Sequence, residues 1–282
     1  MTKISFDDLN NKICVITGGG GVIGKALAIG LGSAGVKTAL LDLNKEMADK
    51  VAAEVTAETG TESIGVETNV LDKGSLEKAK KEVNDKFGKI DMLINGAGGN
   101  SPKATSAAEV MTAELKGDLS KTFYGLDIAG FEFVFNLNFM GTILPTMVLT
   151  KDMLDEGGVV LNVSSMSAFR PLTKVPAYSA AKASINSITE WLSVHLAPVG
   201  IRVNAIAPGF FLTNQNRFLL TDENTGKLTD RGEKIINNTP MGRFGEVEEL
   251  QGTVNYLMSD LSKFVTGIVV AVDGGFNAYS GV

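Results

Sequence analysis

Tyr178 and Lys182 stand four residues apart in "PAYSAAKASIN", a spacing that puts a phenol and an ammonium on one face of a helix. An ammonium close to a phenol favours the ionised oxygen. A free phenol has a pKa near ~10, and bringing it towards neutrality asks for roughly 4 kcal/mol of preferential stabilisation of the phenolate. Ser165 lies 13 residues upstream of Tyr178, at the end of the apolar run "GVVLNVSS", where its hydroxyl can bond a reacting oxygen. These residue types suit proton transfer to or from an alcohol or carbonyl oxygen, an effect typically worth ~10²–10⁴-fold. Each also has a plain structural explanation: Tyr178 as a packed helix residue, Lys182 as a solvated charge, Ser165 as a strand-end cap and Asn138, in "NLNFMGT", as a polar group in a helix turn.

A second group of residues could hold the reagent for such a reaction. The run "ICVIT" leads into four glycines, Gly18 to Gly21, then Val22, Ile23 and Gly24, before the helical segment "GKALAIGLGSAG". Backbone amides and the positive end of a helix then face whatever lies above the turn, a place suited to a pyrophosphate. The glycines fit two frames: Gly19, Gly21 and Gly24 as G-x-G-x-x-G, or Thr17, Gly18 and Gly24 as T-G-x-x-x-G-x-G with Val22 where a glycine is wanted. The next apolar run ends at Asp42, 18 residues past Gly24, near the separation expected of a carboxylate that accepts both ribose hydroxyls of a dinucleotide. That carboxylate repels a 2′-phosphate, so NAD(H) is the expected cofactor, with NADP(H) not excluded. Lys25 and Lys45 are expected to point to solvent.

The elements that must position these groups follow from the apolar runs "ICVIT", "KTALLD", "SIGVETNV", "IDMLING", "GVVLNVSS", "IRVNAIAP" and "GIVVAVDGG". Seven short β-branched runs, mostly without polar alternation, alternate with helical patterns. They predict an α/β fold, a single-domain doubly wound (Rossmann-type) seven-stranded parallel sheet with helices on both faces. Ligands of such sheets sit beyond the carboxyl ends of the strands, where all the residues above fall. One domain over 1–282 is expected, with insertions at about 99–130 and 210–239 that are too long for ordinary connections. Each reads as a lid or substrate loop, or else as a surface excursion for subunit contact.

Composition removes several classes of function. A net charge of −6 gives no global basic field, so nucleic acid is not an expected partner and an anionic substrate would need a local cationic pocket. The one cysteine, Cys14, reads as a small buried hydrophobe, and the one histidine, His195, as a helix-face residue. Neither can found a metal site. The polar N-terminus and the lack of an uninterrupted apolar run of roughly 18 residues predict a soluble, cytoplasmic protein with no membrane partner.

The order of motifs resembles the short-chain dehydrogenase/reductase family over almost the entire chain. The markers are Tyr178-x-x-x-Lys182, "NVSS", "INGAGG" at 94–99, "NLNFMGT" at 136–142, "APGFFLT" at 207–213 and the closing "VDGGF". The resemblance selects the T-G frame and makes Val22 a departure, tolerable where the helix has already begun and φ is negative. Asn69 for the usual Asp and "NGAG" for "NNAG" are two more departures. It implies an enzyme with Tyr178 as general acid/base, Ser165 bonding the reacting oxygen, Lys182 also holding the nicotinamide ribose and Asn138 anchoring a water relay. Cofactor contacts are implied for Gly18, Gly20, Ile23, Gly24, Asp42, Asn69, Val70, Asn95, Ala97, Tyr178, Lys182, Pro208, Gly209 and Thr213.

Within that family "GGNSPKAT", the insertion after it and "SMSAFRPLTKVPAYSAAK" resemble the D-mannonate oxidoreductase (fructuronate reductase) type. Lys103 and Arg170 at the cofactor edge could form the cationic pocket that a sugar-acid carboxylate needs. Arg170 and Lys174 also read as surface or subunit-interface charges. A ketoreductase of another sugar acid or polyol, such as a gluconate 5-dehydrogenase type, is the alternative enzyme, and a cofactor-binding redox sensor without turnover the alternative class. A homotetramer is implied by the resemblance alone.

Overall fold

The computed structural model describes residues 4–213, 217–222 and 225–281. Its strands are β1 (Ile13–Thr17), β2 (Lys37–Asp42), β3 (Ser63–Glu67), β4 (Met92–Asn95), β5 (Gly158–Val163), β6 (Ile201–Pro208) and β7 (Val269–Val272), and its helices α1 (Val22–Gly32), α2 (Lys45–Thr59), α3 (Lys73–Lys86), α4 (Ile128–Phe135), α5 (Gly141–Leu149), α6 (Pro176–Leu196), α7 (Arg217–Leu220), α8 (Asp230–Asn237) and α9 (Gln251–Met258). The strands form one parallel sheet in the order β3-β2-β1-β4-β5-β6-β7. This is the doubly wound fold that the apolar runs predict.

Neighbouring side chains of a strand point to opposite faces, so a run without polar alternation needs cover on both sides. Cys14, Ile16, Leu40, Ile94 and Leu161 pack on one face with Leu27 and Leu31 of α1, Val55 of α2 and Val254 and Leu257 of α9. Val15, Leu41, Leu93 and Val160 pack on the other with Leu76 and Val83 of α3 and Val148 and Leu149 of α5. Helix starts are fixed locally: Asn44 accepts from the Met47 amide at 3.0 Å, Asp72 accepts from the Ser75 amide at 2.7 Å, and Pro176 opens α6, each a residue type that suits a helix N-terminus.

The first insertion is a chain of short 3-10 turns, among them Pro102–Ala104, Leu119–Lys121 and Phe123–Gly125. The Ser106 amide ties it to the Lys174 carbonyl at 2.8 Å. Residues 214–216 and 223–224 of the second insertion lie outside the described residues, but α8 carries Lys234, which pairs with Glu109 and joins the two insertions. Cys14 is fully buried, and burial pushes its thiol far above the ordinary range. His195 stacks on Trp191 with ring centroids 4.6 Å apart. No cluster of metal-ligating side chains occurs among the described residues. One helical run, Ile128–Met153, is long and apolar enough to cross a membrane by length and composition, although half of its apolar window is buried inside the fold.

Candidate active site

The strand order reverses between β1 and β4, which opens a crevice at their carboxyl ends. Thr17 stitches the two edges together: its hydroxyl accepts from the amides of Gly96 at 3.1 Å and Ala97 at 3.2 Å. Gly18 follows with φ +67°, and a Cβ there would lie 3.0 Å from the Ala97 amide nitrogen. Only glycine meets both demands cheaply. The helix begins at Val22, after an extended Gly21 that has no side-chain cap. The T-G frame therefore holds, and Val22 is the first helical residue. A Cβ at Gly24 would sit 2.5 Å from the Gly18 carbonyl, so that glycine lets the helix close against the loop.

Around this loop the expected cofactor residues divide. The Gly20 amide, expected to face a phosphate, donates instead to Asp42 Oδ2 at 3.1 Å, while Asn44 donates to Oδ1 at 3.1 Å. The loop and the end of β2 are thus held together, and the first turn of α1 offers its amides without a side-chain cap. Lys25 is paired with Glu54 at 2.6 Å and Lys45 with Asp49, so both cations near Asp42 are engaged by carboxylates rather than simply solvated. Asn69 is exposed and its Oδ1 accepts from the Leu71 amide at 3.0 Å; Val70 is buried against Gly141. The Asn95 side chain is turned into the fold, donating to Thr146 Oγ1 and Asn162 Oδ1, both at 2.9 Å. A cofactor would meet Asn95 only through its backbone. Pro208 ends β6, Gly209 donates to the Val272 carbonyl at 2.9 Å, and the Thr213 carbonyl accepts from the Arg217 amide at 2.9 Å.

The four groups read as chemical converge at the ends of β4 and β5. Lys182 is buried, and its Nζ donates to the Val163 carbonyl at 2.8 Å and lies 5.6 Å from the centroid of the Tyr178 ring. Burial lowers its pKa to about 8. The Tyr178 phenol is pushed above its ordinary value by desolvation, against which a hydrogen bond with Ser165 acts. Asn138 sits in a π turn, Asn136–Met140, between α4 and α5, a local widening of the helix common at functional positions. Its amide donates to the carbonyls of Gly99 and Val134, both at 2.7 Å, and its Oδ1 accepts from the Gly99 amide at 3.2 Å.

Gly98 fills the space between these groups, since a Cβ there would lie 2.5 Å from Asn138 Oδ1 and 3.3 Å from Lys182 Nζ. Thr17 falls in the T-G frame and Gly98 in "INGAGG", but what each of them touches follows from the fold rather than from its residue type. Lys103 and Arg170 are exposed, on segments that flank this centre. Lys103 packs its Cβ near Gly130, and Arg170 Nε donates to the Asn277 carbonyl at 3.3 Å. Nothing brings those two cations onto one another.

A Lys–Tyr–Ser group with Lys182 and Ser165 buried and Tyr178 partly so, beside an uncapped helix start and a carboxylate, matches what redox chemistry with a dinucleotide requires. Residues 20–277 match the family model described as Enoyl-(Acyl carrier protein) reductase. A solved structure from Haemophilus influenzae, provisionally named a D-mannonate oxidoreductase and holding bound NAD, is 52% identical, with a TM-score of 0.92 and 98% of each chain covered. The uncharacterized oxidoreductase UxuB of Bacillus subtilis is 50% identical over 98% of both sequences. The 2-dehydro-3-deoxy-D-gluconate 5-dehydrogenase of Dickeya dadantii is 30% identical, covering 96% of this chain and 97% of its own.

Proposed function

Because the chain belongs to the short-chain dehydrogenase/reductase family, we propose that it moves a hydride between NAD(H) and a secondary alcohol or ketone of a sugar acid, with D-mannonate and D-fructuronate as the first pair. The observation that carries the chemistry is the buried Lys182 against Tyr178, with Ser165 bonded to the same phenol. The bound nicotinamide supplies or accepts the hydride, and in its oxidised form its positive charge favours the phenolate. Tyr178 takes the alcohol proton in oxidation and returns it in reduction. Ser165 holds the reacting oxygen, Lys182 steadies the phenolate and the ribose, and the π turn at Asn138 anchors the water through which the proton leaves.

NAD rather than NADP follows from Asp42 and from the carboxylates that already engage Lys25 and Lys45. For the sugar acid, support comes from the name given to the Haemophilus protein and from Lys103 and Arg170 as carboxylate ligands in an otherwise acidic chain. The Dickeya enzyme favours a second reading, a 5-keto sugar acid taken by the same site. The oligomer implied by the family resemblance is a homotetramer.

The test is a panel of sugar acids and uncharged ketoses with NADH and NADPH, followed by cofactor absorbance. Losing a charge-assisted bond to a carboxylate costs ~1.5–3 kcal/mol, about 10- to 150-fold at ~1.4 kcal/mol per decade. Arg170→Ala or Lys103→Ala is expected to lower kcat/KM for fructuronate by that order and barely change a neutral ketose of similar shape. Equal losses on both would remove the carboxylate assignment. No turnover of fructuronate would remove that substrate and leave the dehydrogenase standing.

A further inference from the structure

The hydroxyl of Ser165 is held by a neighbour that none of the family markers includes. Ser165 is the N-cap of the 3-10 turn Met166–Ala168, and its Oγ accepts from the Ser167 amide at 3.2 Å. The Ser167 hydroxyl lies 3.0 Å from the same oxygen, and Ser167 is fully buried. A serine oxygen has two acceptor sites and one proton. An N–H can only donate, so one acceptor site of Ser165 is taken by the turn itself. When the Ser167 hydroxyl fills the other, the Ser165 proton is the one valence left, and its partner in the protein alone is the Tyr178 phenol. We propose that Ser167 is a positioning residue that fixes Ser165 as a hydrogen-bond donor, to the Tyr178 phenol in the protein alone and to the substrate oxygen when substrate is bound.

The consequence is electrostatic as well as geometric. A phenol that accepts a hydrogen bond has its ionised form favoured, and one that donates has its neutral form favoured. Without the Ser167 hydroxyl, Ser165 regains an acceptor site and can take the bond from the phenol in the reverse sense. Among the described residues no other group has this role. Tyr178 packs against the cluster of Ala104, Val134 and Ala177, as does Phe131, and the charged residues on those elements, Lys103, Asp127 and Glu132, are exposed. Lys182, on the same helix, is the charged neighbour facing the ring.

This inference rests on the assignment of Ser165 and Tyr178 made above, and the experiment separates the two. Ser167→Ala is expected to lower kcat for sugar-acid oxidation about 2- to 10-fold with KM nearly unchanged, and to move the acidic limb of its pH profile, where the phenolate is lost, to higher pH. Ultraviolet titration of the protein without cofactor, referenced to Tyr178→Phe, should show the same upward movement of the Tyr178 phenolate. Ser167→Thr, which keeps the hydroxyl, should restore both. In a Ser165→Ala background Ser167→Ala should cost nothing further, because a residue that acts through another is silent once that one is gone. Equal losses in both backgrounds, or an unmoved phenolate titration, would overturn the role of Ser167. Full activity of Ser165→Ala would instead overturn the assignment of Ser165 itself.

Discussion

At the scale of single residues, the site sets two opposed titrations against each other. Burial lowers Lys182 to about 8 and raises Tyr178, so the protein alone makes the phenol a poor base, and further positive charge is needed to ionise it. Tyr178→Phe is expected to abolish hydride transfer while leaving cofactor affinity within a few-fold, measured by stopped absorbance assays and NADH fluorescence; near wild-type turnover would remove the acid/base role. Lys182→Met should impair both. Its stability has a definite sign. The folded pKa of Lys182 lies below the unfolded value, so the unfolded chain binds the extra proton between about 8 and 10.5, and stability from this group rises with pH across that window and is lost as pH falls through about 8. Lys182→Met has no such proton, so its melting temperature should exceed the wild type's most at pH 7 and the gap should narrow by a few degrees towards pH 10. Asp42→Ala is expected to shift the kcat/KM ratio towards NADPH, since ribose bonds and repulsion of the 2′-phosphate disappear together. A wild type that already prefers NADPH would contradict this account.

Elements were legible in the sequence to the degree that their cues are local. β1, β2 and β6 coincide end to end with the runs "ICVIT", "KTALLD" and "IRVNAIAP", because apolar runs of this length are too short for a buried helix and their ends are marked by polar residues, glycine or proline. In "SIGVETNV" and "GIVVAVDGG" the strands stop at Glu67 and Val272, where polar residues and glycines turn away from the ladder. Tyr178, Lys182 and Ser165 were visible as residue types at fixed spacing, and Asn138 through the family resemblance of "NLNFMGT". Gly98 and the turn of the Asn95 side chain into the fold depend on contacts with residues about 40 or more positions away, which no local pattern records, whereas Ser167 touches Ser165 two residues away and carries no pattern of its own. Val22 lies between these extremes: its departure was visible, its harmlessness was not. As the first residue of α1 it needs no positive φ. Val22→Gly is therefore expected to lower stability by up to ~1 kcal/mol without tightening NAD binding. Gly24→Ala, whose Cβ would meet the Gly18 carbonyl at 2.5 Å, should weaken NAD at least tenfold by moving the helix start off the loop. Fluorescence titration of both variants decides; tighter NAD binding by Val22→Gly would show that the loop does require a glycine there.

For the whole molecule, the question is what covers the apolar surface that the sheet does not. The run Ile128–Met153 is half buried by its own chain, and the remainder presents Ile128, Phe133 and Met147 to solvent, while α6, which packs on α4, presents Trp191 and Val194. Apolar faces on neighbouring helices of this kind mark association surfaces, and in closed homo-oligomers each face pairs with its own copy. The proposed homotetramer gives a definite expectation: light scattering of the wild type should return four times the mass of the chain. Val194 is 77% exposed and lies 12 residues beyond Lys182 on α6, about 18 Å away along the helix at ~1.5 Å per residue. Val194→Glu should place an unpaired charge in a self-complementary contact, where desolvation costs several kcal/mol, and reduce the assembly to a smaller species. The catalytic groups at the other end of the helix keep their partners within one chain, so kcat should stay within a few-fold at protein concentrations where the variant is dissociated. A monomeric wild type, or a tetramer indifferent to Val194→Glu, would place the contact elsewhere or remove it. A large loss of kcat on dissociation would show instead that assembly holds the insertions, and through the Ser106 to Lys174 bond the start of α6, in their working positions.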